Sequence, residues 1–186
     1  MNLPNKLTLA RVIAVPFFIF CYMKEFFIAG LIIFIAASFT DMLDGKIARK
    51  YNLVTNFGKI MDPLADKVLV YSAFCLMVGD NTMSAWMLIV ILAREFAIAG
   101  VRTVAASEGK VIAAAMSGKI KTVLQMIAVP LLLLFNALNA SSMNGSSMTL
   151  LMVLGYFAYG FLWASLIMTV VSGTEYIVKN IDVFRS

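Results

Sequence analysis

Six apolar stretches follow one another along this chain, at roughly 8–24, 26–48, 62–79, 83–106, 119–140 and 148–172. Each approaches the length of about 20 residues that a helix needs to cross a bilayer. A backbone in hydrocarbon must satisfy its own hydrogen bonds, and a helix does so within one segment. The expectation is therefore an all-α integral membrane bundle of six transmembrane helices. A short interfacial segment, Asn2 to Thr8, leads in, and Asn5 or Thr8 is placed to cap the first helix. Composition agrees: 62% of residues are hydrophobic and 13% charged, where a soluble domain is about half apolar and a quarter charged. The apolar stretches leave no room for a second domain, so residues 1–186 are read as one domain. The first stretch lacks a small-residue cleavage site and further spans follow it, so it reads as a retained span.

The charges give the bundle two different ends. With six spans, Lys6, Arg11, Lys46, Arg49, Lys50, Lys59, Lys67, Arg94, Arg102, Lys110, Lys119, Lys121, Lys179 and Arg185 gather on one side. Only Lys24 falls on the other. Basic residues stay on the cytoplasmic face, so both termini are expected there, in the cytoplasmic membrane. The basic pI of about 9.3 then reflects a face near anionic headgroups, and no basic soluble module exists to bind nucleic acid. The two cysteines, Cys21 and Cys75, lie in apolar stretches and are expected to be free thiols. The absence of histidine argues against His-based zinc or serine-hydrolase chemistry.

On the basic side stand four aspartates, Asp41, Asp44, Asp62 and Asp66, in the stretch DMLDGKIARKYNLVTNFGKIMDPLAD. Carboxylates at membrane depth cost several kcal/mol and mark function by default. Asp41 and Asp44 are three apart and Asp62 and Asp66 four apart, so each pair shares a helix face. Packing the two helices across residues 49–61 would face the pairs together as a cage of carboxylates. Oxygen-only ligands suit Mg²⁺ or Mn²⁺, and two such ions can clamp a phosphate. Small residues surround the acids: Gly45, Ala48, Gly58 and Ala65. Gly45 permits close approach of a ligand to the helix, and Gly58 a backbone shape that other residues resist. Arg49 can reach an anionic ligand. Asp66, the deepest acid of its helix, is the choice for a general base.

The pattern Asp41-x2-Asp44-Gly45-x2-Ala48-Arg49-x8-Gly58-x3-Asp62-x3-Asp66 resembles, at every fixed position, the signature of the CDP-alcohol phosphotransferases. Further motifs are similar to a bacterial branch of that family that uses glycerol 3-phosphate. These are Pro4-Asn5-Lys6-Leu7-Thr8-x2-Arg11, Arg94-Glu95-Phe96 with Gly100-Val101-Arg102, Gly118-Lys119-Ile120-Lys121-Thr122 and Ser172-Gly173-Thr174-Glu175-Tyr176. The resemblance implies a homodimeric membrane enzyme with two divalent cations on Asp41, Asp44, Asp62 and Asp66, and with Asp66 as proton acceptor. It implies that Gly45, Arg49, Thr55, Asn5 and Thr8 contact the CDP part of CDP-diacylglycerol. The reaction implied is a direct displacement in which sn-glycerol 3-phosphate takes the phosphatidyl group and CMP leaves.

Such an acceptor needs a cationic pocket. Arg102 and Lys119 flank one short connection and are expected to converge, with Lys121 beside them and Arg94 behind. Arg94 and Glu95 are adjacent, so they are expected on different helix faces. Arg94 then needs a partner if it lies deep, and Glu175 is a candidate partner for a cation. Other acceptors, namely inositol phosphate, serine or phosphatidylglycerol, fit the aspartate signature equally well, and a cation transporter is the alternative from another class. Pro16 and Pro130 should kink their helices, Trp86 and Trp163 should sit near an interface, and Ala97, Gly100, Gly155 and Gly160 are candidates for close helix approach.

Overall fold

The structure, a computed structural model, describes residues 3–50, 56–107, 109, 112, 113, 115–142 and 148–181. Side chains are described throughout except at positions 3, 4, 41–50, 56–60, 62, 63, 66 and 142. Six helices account for nearly all of it: α1 (Leu3–Met23), α2 (Phe27–Lys50), α3 (Asn56–Gly79), α4 (Ala85–Ser107), α5 (Met116–Ser142) and α6 (Met148–Lys179). No strand occurs among the described residues.

The helices overrun the apolar stretches that announced them. Among the described residues α1 begins at Leu3, so positions 3–8 of the expected lead-in belong to the helix, and Asn5 and Thr8 lie inside it instead of capping it. Pro4 is compatible with this because the first four N–H groups of a helix have no partner within it. α3 begins at Asn56 and α6 runs on to Lys179. Hydropathy marks the thickness of the bilayer, whereas the helix continues into the polar layer. Pro16 and Pro130 lie inside α1 and α5 as expected.

The bundle is apolar outside as well as inside. Phe17, Phe20, Ile32, Ile89, Phe96 and Phe157 point outward, while Arg11, Lys121, Gln125, Ser165, Thr169 and Ser172 are buried. A soluble protein does the reverse. α1, α5 and α6 are long and apolar enough to cross a membrane by length and composition, and α2 and α3 carry apolar stretches at Phe27–Thr40 and Lys67–Gly79. The chain is a membrane protein with a helical core.

Each buried stripe changes character along its helix. On α1 the inward residues run Asn5, Thr8, Arg11, Val15, Phe18 and Tyr22, at helical spacing. On α5 they run from Lys121 and Gln125 through Val129 and Leu133 to Asn136. The middle of the bundle is a closed apolar core built on Phe18, Phe34, Phe74, Met77, Ile91, Leu132 and Leu162. Among the described residues the charged side chains that turn inward, Arg11, Glu95 and Lys121, gather toward one end, while Ser165 sits within the core bonded to the Leu162 carbonyl. α5 packs along α6 and on α2, α1 packs on α2 and α3, and α4 leans on α6 and α3. Because α4 leans that way and not on α5, a cleft opens between α4 and α5 at the basic end.

Candidate functional site

The acid-bearing stretch is helical where it is described. Positions 41 and 44 fall within α2 and positions 62 and 66 within α3, in the second and third turns of that helix and not at its start. The backbone therefore keeps each pair on one side of its helix, and α2 and α3 touch. The side chains of Asp41, Asp44, Gly45, Ala48, Arg49, Gly58, Asp62 and Asp66 lie outside the described residues, as does all of Thr55. Gly58 belongs to the regular helix α3, so the special backbone shape expected there is not what the position provides. Among the described side chains no cluster of three or more acids, cysteines or histidines stands ready for a metal. The donor set that the sequence offers at the four positions is carboxylate oxygen alone, borne in pairs by two helices in contact. That chemistry fits a hard divalent cation.

Asn5 and Thr8 face inward at the same end of the bundle, and neither is exposed. Arg11 continues their stripe, and its Nε donates to the Ala37 carbonyl of α2 at 3.3 Å. The N-terminal turns of α1 are thus tied to the helix that carries Asp41 and Asp44.

The cleft between α4 and α5 is a cavity of about 480 Å³. Lys67, Arg94, Glu95, Arg102, Lys119 and Thr122 supply its polar wall. Arg102 and Lys119, expected to converge, both line this cavity. Lys121 lies behind this wall, buried, with its ammonium on the Glu95 carboxylate. Arg94 Nη1 donates to Glu95 Oε1 at 2.8 Å, which corrects the expectation that adjacent residues stay apart. Two long side chains curl toward each other although their Cα–Cβ directions diverge. Lys67 Nζ reaches the other carboxylate oxygen, Oε2, at 3.2 Å. Arg94 Nη2 donates to Ser172 Oγ at 3.0 Å, and Arg102 Nε to the Tyr176 hydroxyl at 3.2 Å. Glu175 does take a cation, but it is Lys179 one turn on, at 2.6 Å on the surface.

Two glycines make room for Arg94. A Cβ on Gly173 would stand 3.0 Å from Arg94 Cγ, and one on Gly118 would stand 3.1 Å from Nη2. Sequence reasoning marked both glycines only as motif members and missed Glu95 as the hub. The available signal was a carboxylate in an apolar span, which has to be paired. Of the small residues expected at close contacts, Gly155 is pressed by the Phe135 ring, whereas Gly100 and Gly160 have open space. A larger hollow of about 660 Å³, walled by Phe135, Tyr156 and Trp163, holds no charged residue and lies on the apolar flank of α5 and α6.

A helical membrane bundle with paired aspartates on two touching helices, beside a cationic cleft, describes a class of lipid-modifying transferase. The profile of the CDP-alcohol phosphatidyltransferase family matches residues 1–171, and the chain belongs to that family. Members are generally dependent on a divalent cation. Among curated relatives, the CDP-diacylglycerol–glycerol-3-phosphate 3-phosphatidyltransferase of Bacillus subtilis (strain 168) is 45% identical over 200 residues, covering 100% of this chain and 98% of that protein. The protein of the same name from Rickettsia felis is 36% identical over 94% of this chain and 93% of its own length. The one from Salmonella typhimurium is 41% identical over 71% of this chain and 76% of its own.

Proposed function

We propose that this protein transfers the phosphatidyl group of CDP-diacylglycerol to the primary hydroxyl of sn-glycerol 3-phosphate, giving phosphatidylglycerophosphate and CMP. The observation that carries the reading is the cationic cavity opening on α3, where Lys67 follows Asp66 directly. A CDP-lipid needs the acids and a phosphorylated acceptor needs the cations, and one helix bears members of both sets. The names of the relatives from Bacillus subtilis and Rickettsia felis point the same way.

Asp41, Asp44, Asp62 and Asp66 would hold two divalent cations, Mg²⁺ by preference, which when bound neutralise the pyrophosphate and the departing CMP. Asn5, Thr8, Gly45, Ala48, Arg49, Thr55 and Gly58 form the nucleotide side of the site. Asp66 takes the proton of the acceptor hydroxyl. That oxygen then attacks the lipid-side phosphorus, and the bond from this phosphorus to the CMP oxygen breaks in the same displacement. Arg102 and Lys119, backed by Lys121 and Arg94, take the acceptor phosphate as charge-assisted hydrogen-bond donors. The site faces the cytoplasm, because Lys6, Arg11, Lys67, Arg102 and Lys119 lie at this end and Lys24 alone at the other. The unit is a homodimer, on the family resemblance, with one domain of residues 1–186 per subunit.

Purified protein in lipid vesicles, given CDP-diacylglycerol, Mg²⁺ and one acceptor at a time, tests this by CMP release. Glycerol 3-phosphate is expected to support turnover, and inositol phosphate, serine and phosphatidylglycerol are not. Turnover with one of those three in place of glycerol 3-phosphate overturns the acceptor. No CMP with any of them overturns the transferase.

A further inference from the structure

Glu95 is the one acidic side chain lining the cationic cavity among the described residues, and the chemistry above leaves it without a task. Its carboxylate is nearly buried and takes three cations from three helices: Lys67 of α3, Arg94 of α4 and Lys121 of α5. Arg94 is held a second time by Ser172 and fitted between Gly118 and Gly173. A carboxylate set among phosphate-binding cations is a poor choice if affinity is the only aim, because it repels the ligand. Five basic side chains without it would repel one another, and each flexible lysine would lose little by turning away to water. The carboxylate removes that freedom at the point where α4 and α5 stand apart.

We propose that Glu95 is a positioning residue for the acceptor phosphate. By fixing Lys121 behind the cavity wall and Arg94 and Lys67 on it, the carboxylate presents Lys67, Arg102 and Lys119 as a preformed cradle for a phosphate monoester. This adds Lys67 to the residues that touch the acceptor. It is 46% exposed at its side chain, so donors remain free once Glu95 has taken one. The inference rests on the acceptor reading above and deepens it. Preorganisation of this kind improves binding by reducing what must be ordered when the ligand arrives.

Glu95→Gln in the full chain, reconstituted in vesicles, is the test. It keeps the shape and one accepting oxygen and removes the charge. The KM for glycerol 3-phosphate should rise about tenfold or more, the size of one or two lost charge-assisted hydrogen bonds. Inhibition by inorganic phosphate should weaken in parallel, and the KM for CDP-diacylglycerol should stay within about twofold, since the cavity wall and not the nucleotide side has changed. A residue that merely holds the fold together would affect both substrates alike. An acceptor KM that stays put or falls, or two KM values that rise together, overturns the proposal. If Glu95→Gln is not recovered from membranes, Glu95→Asp carries the same split, since it keeps the charge and draws it back by one methylene. A severalfold rise in acceptor KM supports the positioning role and an unchanged value overturns it. Wild-type protein that releases no CMP with glycerol 3-phosphate would sink the acceptor reading itself, a failure seen before any variant is made.

Discussion

The two ends of the bundle are both polar, yet they are put together on opposite principles. At the end bearing Lys24, Tyr22 donates to Asp80 Oδ2 at 2.5 Å, and Asn136 Nδ2 lies within 3.1–3.3 Å of Tyr22, Asp80 and Thr82. The Thr82 N–H donates to Asp80 Oδ1 at 2.9 Å, and Tyr159 donates to the Thr82 carbonyl at 3.0 Å. One carboxylate is held by neutral donors, and the network consumes its own groups. It fastens the ends of α1, α3, α5 and α6 together. At the other end the Glu95 carboxylate takes three cations, Lys67, Arg94 and Lys121, while Arg102 and Lys119 line the same cavity, so donors are left over. A satisfied network rigidifies, whereas a network with surplus charge has something to offer a ligand. That difference is the physical reason to place the proposed chemistry at the end with surplus charge.

The sharpest way to break the comparison is to remove the acids. Asp66→Asn, or Asp62→Asn, should lower metal-dependent CMP release by at least about a hundredfold, as loss of a group that acts on transition-state charge does. The variants should still insert, because each exchange keeps the side-chain size and removes a charge that is costly at membrane depth. Turnover retained in either variant refutes the role given to that residue. Next in size is Lys119→Ala. Loss of one charged donor from the cradle should raise the KM for glycerol 3-phosphate by about tenfold to a hundredfold. The KM for CDP-diacylglycerol should move much less, and an equal loss for both substrates would show that Lys119 does not discriminate between them.

How much of this was legible depends on the range of each signal. The six spans were, because bilayer thickness imposes a length on every one of them. Their true ends were not: α1 gains Leu3–Leu7 and α6 gains Gly173–Lys179, where polar residues continue a helix that hydropathy no longer detects. The convergence of Arg102 and Lys119 followed from one short connection. Arg94 meeting Glu95 did not follow, because helix geometry speaks for Cβ positions and a guanidinium lies several rotatable bonds beyond. Lys67 was visible only as one more basic residue on its side of the bundle, since its partner Glu95 sits on another helix. The network of Tyr22, Asp80, Asn136 and Tyr159 left no trace, because each polar residue stands alone in its own element and carries no spacing.

A subtler probe targets the space around Arg94. Gly173→Ala puts a Cβ 3.0 Å from Arg94 Cγ, so the arginine must shift by a few tenths of an ångström. Overpacking of that kind costs about 1–3 kcal/mol, here felt by the side chain that Glu95 and Ser172 hold. The expected result is a weaker acceptor, with KM raised severalfold, and a lower melting temperature. Gly100→Ala is the matched control, because its Cβ would meet nothing within 4 Å, and it should leave both quantities near wild type. Equal behaviour of the two variants would mean that the Arg94 slot has no bearing on the acceptor.

The smallest effect belongs to the self-contained end, and it bears most directly on the comparison. Asn136→Leu keeps a similar volume and deletes the donor shared by Tyr22, Asp80 and Thr82. Interhelical hydrogen bonds in membrane proteins are worth on average about 0.6 kcal/mol each, so the melting temperature should fall by a few degrees at most. Both KM values and kcat should hold, since the apolar core built on Phe18, Phe74, Met77, Leu132 and Leu162 lies between this network and the cavity. A change in acceptor KM from Asn136→Leu would show the ends to be coupled through α5, which carries Asn136 at one end and Lys121 at the other. Stability lost without any kinetic change would show that one end of α5 serves to hold the bundle and the other to bind.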